Sequence, residues 1–244
     1  MKRTLLIILV CLAAASLFAL TMMHKKSKGI VVMELFTSQG CNSCPSAEKV
    51  LGNYVNKKDE QIIPIAFHVD YWNRLGWKDS LSDHQYSVRQ AYYDAHYLHA
   101  GIYTPQLIVN GEKEMIGSEY DRVSKAVADE LAELPITTID IKNVAVENGL
   151  VKVEYNIDGT ITNSSLNAVL IQDKTTTNVR AGENNGAILV SYNVARGLIT
   201  DVAKTDGAIA VQLPSSIDTK ELSVVLFTQN MATGKITGAV KKGL

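Results

Sequence analysis

The stretch from Ile30 to Val55 limits the possible folds more than any other. Ile30 to Phe36 is an apolar run broken only by Glu34. Phe36-Thr37-Ser38-Gln39-Gly40-Cys41-Asn42-Ser43-Cys44-Pro45 follows, and then Ala47, Val50, Leu51, Tyr54 and Val55 recur at helical spacing. The run reads as a strand buried on both faces and the second segment as an amphipathic helix. Two cysteines, two residues apart, therefore sit at a strand-to-helix junction. Lys57 and Lys58 suit the C-terminus of that helix. Gln61 to Phe67 reads as a second strand, and a helix between two strands makes a right-handed βαβ unit with parallel pairing.

Beyond it, His68 to Asp79 is polar and aromatic without a regular period and holds both tryptophans, Trp72 and Trp77. Ser82, with Gln85 three residues on, predicts a capped helix whose apolar face is Val88, Ala91, Tyr92, Ala95 and Leu98. Gly101 ends it. His84, His96 and His99 read as surface residues. Leu107 to Ile116 contains Asn110-Gly111 between two β-prone runs, a hairpin signal. Ser118 predicts the cap of a last helix, with Val123, Ala126, Val127, Leu131 and Leu134 inward and Pro135 as its stop.

After Pro135 the pattern changes. Seven runs look like strands: 137–146, 150–157, 165–172, 187–192, 208–213, 222–229 and 235–240. The expected organisation is an α/β domain over 28–135 followed by a mainly-β, sandwich-like domain over 136–244.

Residues 1–27 read as a leader. Lys2 and Arg3 precede an almost wholly apolar Leu5 to Leu20, the pattern of an export signal. If the apolar run continues to Met23 it approaches the length of a membrane anchor, so cleaved and anchored forms both stand. Either form predicts an extracytoplasmic protein, periplasmic or secreted. The net charge of −1 gives no electrostatic case for nucleic acid or an acidic membrane surface.

Of three cysteines, Cys11 falls in the leader, which leaves the close pair Cys41 and Cys44. A zinc site needs about four ligands, and no second cysteine pair exists to supply them. A structural disulfide closing so short a loop stabilises little. Redox chemistry fits the spacing better: backbone N–H groups at a helix start stabilise a thiolate, and a partner two residues on resolves a mixed disulfide. A soft-metal carrier using Cys41, Cys44 and His68 to grip an ion such as Cu(I) is the first alternative. A binding module without activity is the second.

The order of elements up to Pro135 resembles the thioredoxin-like fold, with Thr104-Pro105 standing where that fold keeps its cis-proline. More closely, Glu34 to Cys41, Cys44-Pro45, Phe67-His68-Val69-Asp70-Tyr71-Trp72, Gly76-Trp77, Tyr103-Thr104-Pro105-Gln106 and Gly182-Glu183-Asn184 resemble the DUF1223 family. That family is bacterial, secreted and thioredoxin-like, and its function is uncharacterised. The resemblance implies a thioredoxin-like first domain, with Cys41 as the exposed attacking thiol and Cys44 as the resolving one. It implies that Thr104 and Pro105 bind substrate beside the disulfide. Protein or small-molecule thiols and disulfides are then the expected partners, with neither a cofactor nor a resident metal.

Ligands of open parallel sheets gather beyond the carboxyl ends of the strands. His68, Asp70, Trp72 and Trp77 are therefore expected to border the cysteines; the alternative is a packed loop in which Asp70 caps a turn. Glu34 is either a proton shuttle to Cys44 or a buried carboxylate with a hydrogen-bond partner at the sheet margin. The polar loop Arg180 to Gly186 is either a turn or a lid over the site.

Overall fold

Val31–Thr37 (β1) is buried along its whole length because both of its faces are covered. The structure, a computed structural model, describes residues 29–214 and 217–244. The leader reading of residues 1–27 lies outside the described residues. Among the described residues no helix is long and apolar enough to cross a membrane.

β1 pairs in parallel with Ile62–His68 (β2), from Val31 opposite Ile62 to Thr37 opposite His68. Cys44–Lys57 (α1) crosses between them, with Pro45 in its first turn and Lys57 in its last. Alternation along β1 sorts its side chains. Val31, Met33 and Leu35 meet Ala47, Val50 and Leu51 of α1, whereas Val32 and Phe36 enter a different cluster on the other face.

Gln106–Val109 (β3) runs antiparallel to β1 and turns into Lys113–Ile116 (β4). The turn is the expected Asn110-Gly111, both with positive φ, the backbone a tight hairpin demands. Tyr120–Leu131 (α3) buries Val123, Ala126 and Val127 against this layer. Leu134, expected inward, is exposed, because the helix has already ended.

His84–Tyr93 (α2) departs from expectation in two ways. Its cap is Asp83 rather than Ser82: the Asp83 side chain accepts from the Gln85 backbone N–H at 2.9 Å. Its inward face is also polar. Val88 and Tyr92 are about half exposed, while Tyr86, Gln90 and Tyr93 are buried. The reason lies across the interface in β1. Alternation aims Glu34 at α2, and a buried carboxylate needs partners. Arg89 supplies a two-pronged pair, Nε to Oε2 at 2.5 Å and Nη2 to Oε1 at 2.9 Å, and Tyr93 donates to Oε1 at 2.5 Å. Burial alone would lower the affinity of Arg89 for its proton; the adjoining Glu34 and Tyr93 reverse this and raise it.

The second half adds Thr137–Glu147 (β5), Leu150–Gly159 (β6), Ser164–Asn178 (β7), Ile188–Val202 (β8), Asp206–Gln212 (β9), Leu222–Asn230 (β10) and Ile236–Gly243 (β11). Each expected strand is present. Four of them extend the first half's sheet, giving eight strands in the order β11-β10-β7-β8-β2-β1-β3-β4. The other three form the sheet β5-β6-β9. Ile139, Val151 and Val153 of the small sheet pack on Leu166, Leu170 and Val224 of the large one. The architecture is thus mixed α/β with one large sheet, and a sandwich is made by a small sheet lying over part of it. Strands from both sides of Pro135 share that sheet. They also share a cluster in which Phe36, Ile65 and Phe67 meet Val169, Ala195 and Phe227.

Arg89 also lies 3.4 Å from Asn167 Oδ1 and from Gln229 Oε1, so its charge ties β1 to β7 and β10. Arg89→Met leaves the Glu34 carboxylate buried without its cation. A loss of about 3–5 kcal/mol in urea-unfolding stability is expected; a loss below about 1 kcal/mol would show that Tyr93 alone satisfies Glu34.

Candidate functional site

Parallel pairing brings the ends of β1 and β2 to one edge, and the cysteines lie there. Cys41 and Cys44 are joined in a disulfide with Cα atoms 5.4 Å apart. The connecting turn is held by Cys41 N–H to Ser38 O at 3.2 Å and Cys44 N–H to Cys41 O at 3.3 Å. The Thr104–Pro105 peptide bond is cis, and the Thr104 carbonyl oxygen is 3.9 Å from Cys41 Sγ. Trp72 Nε1 donates to Thr104 Oγ1 at 2.8 Å, and its ring lies beside Gly40. Trp77 Nε1 donates to Gln39 Oε1 at 3.0 Å. Thr104 thus lies against Cys41, Trp72 against Thr104 and Gly40, and Trp77 against Gln39, two residues before Cys41.

Cys41 is not an exposed thiol. Both cysteines are 1 % accessible; only Asn42 and Ser43 between them face solvent. The loop that joins β7 to β8 closes over the turn. Asn184 Nδ2 donates to Gln39 O and to Cys41 O, each at 2.9 Å, and Glu183 Oε2 accepts from the Asn42 N–H at 3.2 Å. Gly182, at φ +73°, sits so close to Trp77 that a Cβ would fall 3.1 Å from that residue's own. The loop is internally a turn, with Asn185 N–H to Gly182 O at 3.2 Å and Ala187 N–H to Asn184 O at 3.0 Å, and it lies against the cysteine turn.

His68 reaches the α1 face, opposite to Glu34. Its Nδ1 is 2.7 Å from Asp79 Oδ2 and its Nε2 is 3.4 Å from Glu48 Oε1. Burial by itself would lower the imidazole pKa. The Asp79 charge and hydrogen bond, with a smaller contribution from Glu48, outweigh burial and raise it to about 10. Asp79 also accepts from the Gln39 and Leu81 backbone N–H groups, at 2.8 and 2.9 Å, so His68 is pinned to the segment before Cys41. Asp70 is turned to the first turns of α2 instead. It accepts from Ser87 Oγ and pairs with the exposed His84 at 3.0 Å; the Ser87 bond, the largest influence, lowers its pKa. Glu34 is brought to Arg89 and Tyr93, on the face away from α1. Among the described residues no cluster of three His, Cys, Asp or Glu side chains is placed to hold a metal.

Sequence reasoning missed Glu48 and Asp79. Glu48 had a signal: four residues after Cys44 it shares that cysteine's helix face. Asp79 had none, because its position depends on how the 69–83 loop folds back.

The site is a disulfide-bonded Cys-x-x-Cys turn between a strand and a helix, beside a cis-proline, in a mixed α/β fold. The chain belongs to the family described as "Protein of unknown function (DUF1223)", whose model matches residues 32–229. No curated protein matches it. A crystal structure of protein AGR_C_4864 from Agrobacterium tumefaciens is similar, with 26% identity and a TM-score of 0.63 over 87% of this chain and 94% of that one. Weaker likenesses carry no argument. One is to a DUF3823 family protein from Bacteroides ovatus, at 10% identity and TM-score 0.28 over 44% of this chain and 55% of that one. Another is to the Ruminococcus gnavus beta-glucuronidase, at 8% and 0.25 over 45% of this chain and 16% of that one.

Two outcomes are expected. In the unfolded chain His68 titrates near 6.5 and in the fold near 10, so the protonated form belongs to the fold. Its stabilisation is fully present below about pH 6.5 and is lost as pH rises through about 10. Urea midpoints measured from pH 6 to 10 should fall more steeply for the wild type than for His68→Gln; parallel curves would mean that His68 is not protonated in the fold. Second, Glu183 places negative charge at the start of α1, where a thiolate would be stabilised. In the reduced protein, Glu183→Gln should speed alkylation of Cys41 by iodoacetamide about two- to fivefold at low salt. An equal or slower rate would show that the loop acts as a shield only.

Proposed function

We propose that the first half is a thioredoxin-like unit and that the protein is an exported thiol–disulfide oxidoreductase cycling Cys41 and Cys44. The observation that carries this reading is the Cys41–Cys44 disulfide at the β1–α1 junction, with Thr104 against its sulfur. In the dithiol form the backbone N–H groups at the start of α1 favour a thiolate on Cys41. A mixed disulfide with a substrate thiol is resolved by the second cysteine, two electrons passing per cycle. Thr104, Pro105 and Trp72 form the rim that a substrate meets, and His68, with Asp79, holds the Gln39 to Cys41 turn. An oxidising compartment outside the cytoplasm, whether the protein is free or held by the leader, suits such a cycle.

The test is the reduction potential of the full chain against glutathione, followed by mass shift on thiol labelling. A reversible value between about −120 and −270 mV is expected, the span of disulfide oxidoreductases. A value below about −300 mV marks a structural bond and would remove the redox reading. A copper(I) titration of the same reduced sample tests the soft-metal alternative.

A further inference from the structure

Three unpartnered polar atoms point to a second feature of this edge. Among the described residues, four buried side-chain N or O atoms have no hydrogen-bond partner: Thr37 Oγ1, Glu48 Oε2, His68 Nε2 and Arg196 Nε. The first three belong to residues that line one pocket of about 290 Å³, together with Cys44, and each of those residues is more than nine-tenths buried. Buried polar groups are ordinarily satisfied, so two unpaired oxygens and a nitrogen with only a 3.4 Å approach to Glu48 Oε1, on residues that line one cavity beside a disulfide sulfur, call for a ligand. Arg196, the fourth, lies in a different pocket.

Resting on the redox reading above, we infer that this pocket admits a second class of substrate, distinct from one that meets Cys41 at the Thr104–Pro105 rim: a small amine-bearing thiol or disulfide whose sulfur meets Cys44. Glu48 Oε2 is an acceptor without a donor, while its Oε1 is 3.4 Å from both His68 Nε2 and the Ser191 hydroxyl. An ammonium group supplies the missing donor and Thr37 Oγ1 a further acceptor. The carbon chain between amine and sulfur runs over Pro45, Leu189 and Val190. Exposed Lys49 at the rim and the His68 imidazolium oppose a second cation, but two carboxylates, Asp79 and Glu48, face that one imidazolium and leave a net negative charge for an ammonium group. The volume falls just below the roughly 300–1,000 Å³ of sites for drug-sized ligands, which suits a compact molecule. On the other side of the pair, Thr104 O lies 3.9 Å from Cys41 Sγ and Asn184 donates to Cys41 O, and Cys41 is not among the residues that line this pocket.

The chemistry balances as an exchange. With oxidised protein, a bound thiolate attacks Cys44 Sγ, the Cys41–Cys44 bond breaks, and Cys41 leaves as a thiolate favoured by the helix start. A second thiol then attacks the substrate sulfur of the mixed disulfide and releases Cys44. Two thiols become one disulfide and the protein gains the dithiol. Run backward, the reduced protein takes two electrons to a small disulfide.

The test uses reduced full-length protein and three disulfides: cystamine (cationic), 2-hydroxyethyl disulfide (neutral) and 3,3′-dithiodipropionate (anionic). Oxidation rates are each divided by the rate of the same disulfide with free cysteine. Cystamine is expected to lead the anionic compound by about tenfold, the worth of one charge-assisted hydrogen bond, and Glu48→Gln should abolish that lead. A second measurement does not depend on the folding of that variant: Cys41→Ser, which keeps Cys44, should trap cystamine faster than Cys44→Ser. Equal corrected rates for the three disulfides, or faster trapping by Cys44→Ser, would overturn the pocket assignment and leave the redox reading standing. Failure of every disulfide to oxidise the wild type would overturn both.

Discussion

The contact between β2 and β8 is the constraint on which the rest of the arrangement depends. It is narrow: one parallel bridge joins Ala66 to Val194, and the Asn193 side chain donates to Pro64 O at 2.8 Å. Pro64 has no N–H for a neighbouring strand, so side-chain pairing replaces part of the ladder there. Asn193 at φ +46° bends β8 as it meets β2. This join gives the second half its seat. It places the loop before β8 over the cysteine turn, and it lays Ile188 to Tyr192 along α1, where Tyr192 occupies the space that a side chain at Gly52 would need.

Two buried charge systems lie on opposite faces of the same sheet and serve different ends. Glu34 is saturated by Arg89 and Tyr93, and that network reaches Asn167 and Gln229, so it reads as a stitch between the halves. His68 is satisfied tightly on one side by Asp79 and loosely on the other by Glu48. The loose side is the one that opens beside Cys44. A fully paired network gives rigidity, whereas a partly paired one keeps acceptors and donors for something else.

Much of the first half was legible because local signals and tertiary demands agree there. The apolar run before Cys41, the helical spacing after it and Asn110-Gly111 each describe a preference of a few neighbouring residues. The misreadings share a cause. On α2 the apolar stripe Val88-Tyr92 looked like the buried face, but the carboxylate of Glu34 in β1 turned the polar face inward. Cys41 was expected to be exposed on the strength of the family resemblance, but its cover comes from residues about 140 positions later. Glu48 was readable from its spacing to Cys44, while Asp79 was not readable from any local pattern.

The sequence by itself determined the strands, the helices, the cysteine pair at a helix start and the change of pattern at Pro135, because period and turn chemistry are local properties. Tertiary structure alone decided that the later strands would join the first sheet instead of standing apart. Edge pairing depends on which strand edges and apolar faces remain uncovered once the chain has collapsed, and no window of sequence contains that. The same decision closed a loop over Cys41 and left a pocket beside Cys44, so the difference between the two sides of the disulfide was set by contacts between residues far apart in the chain.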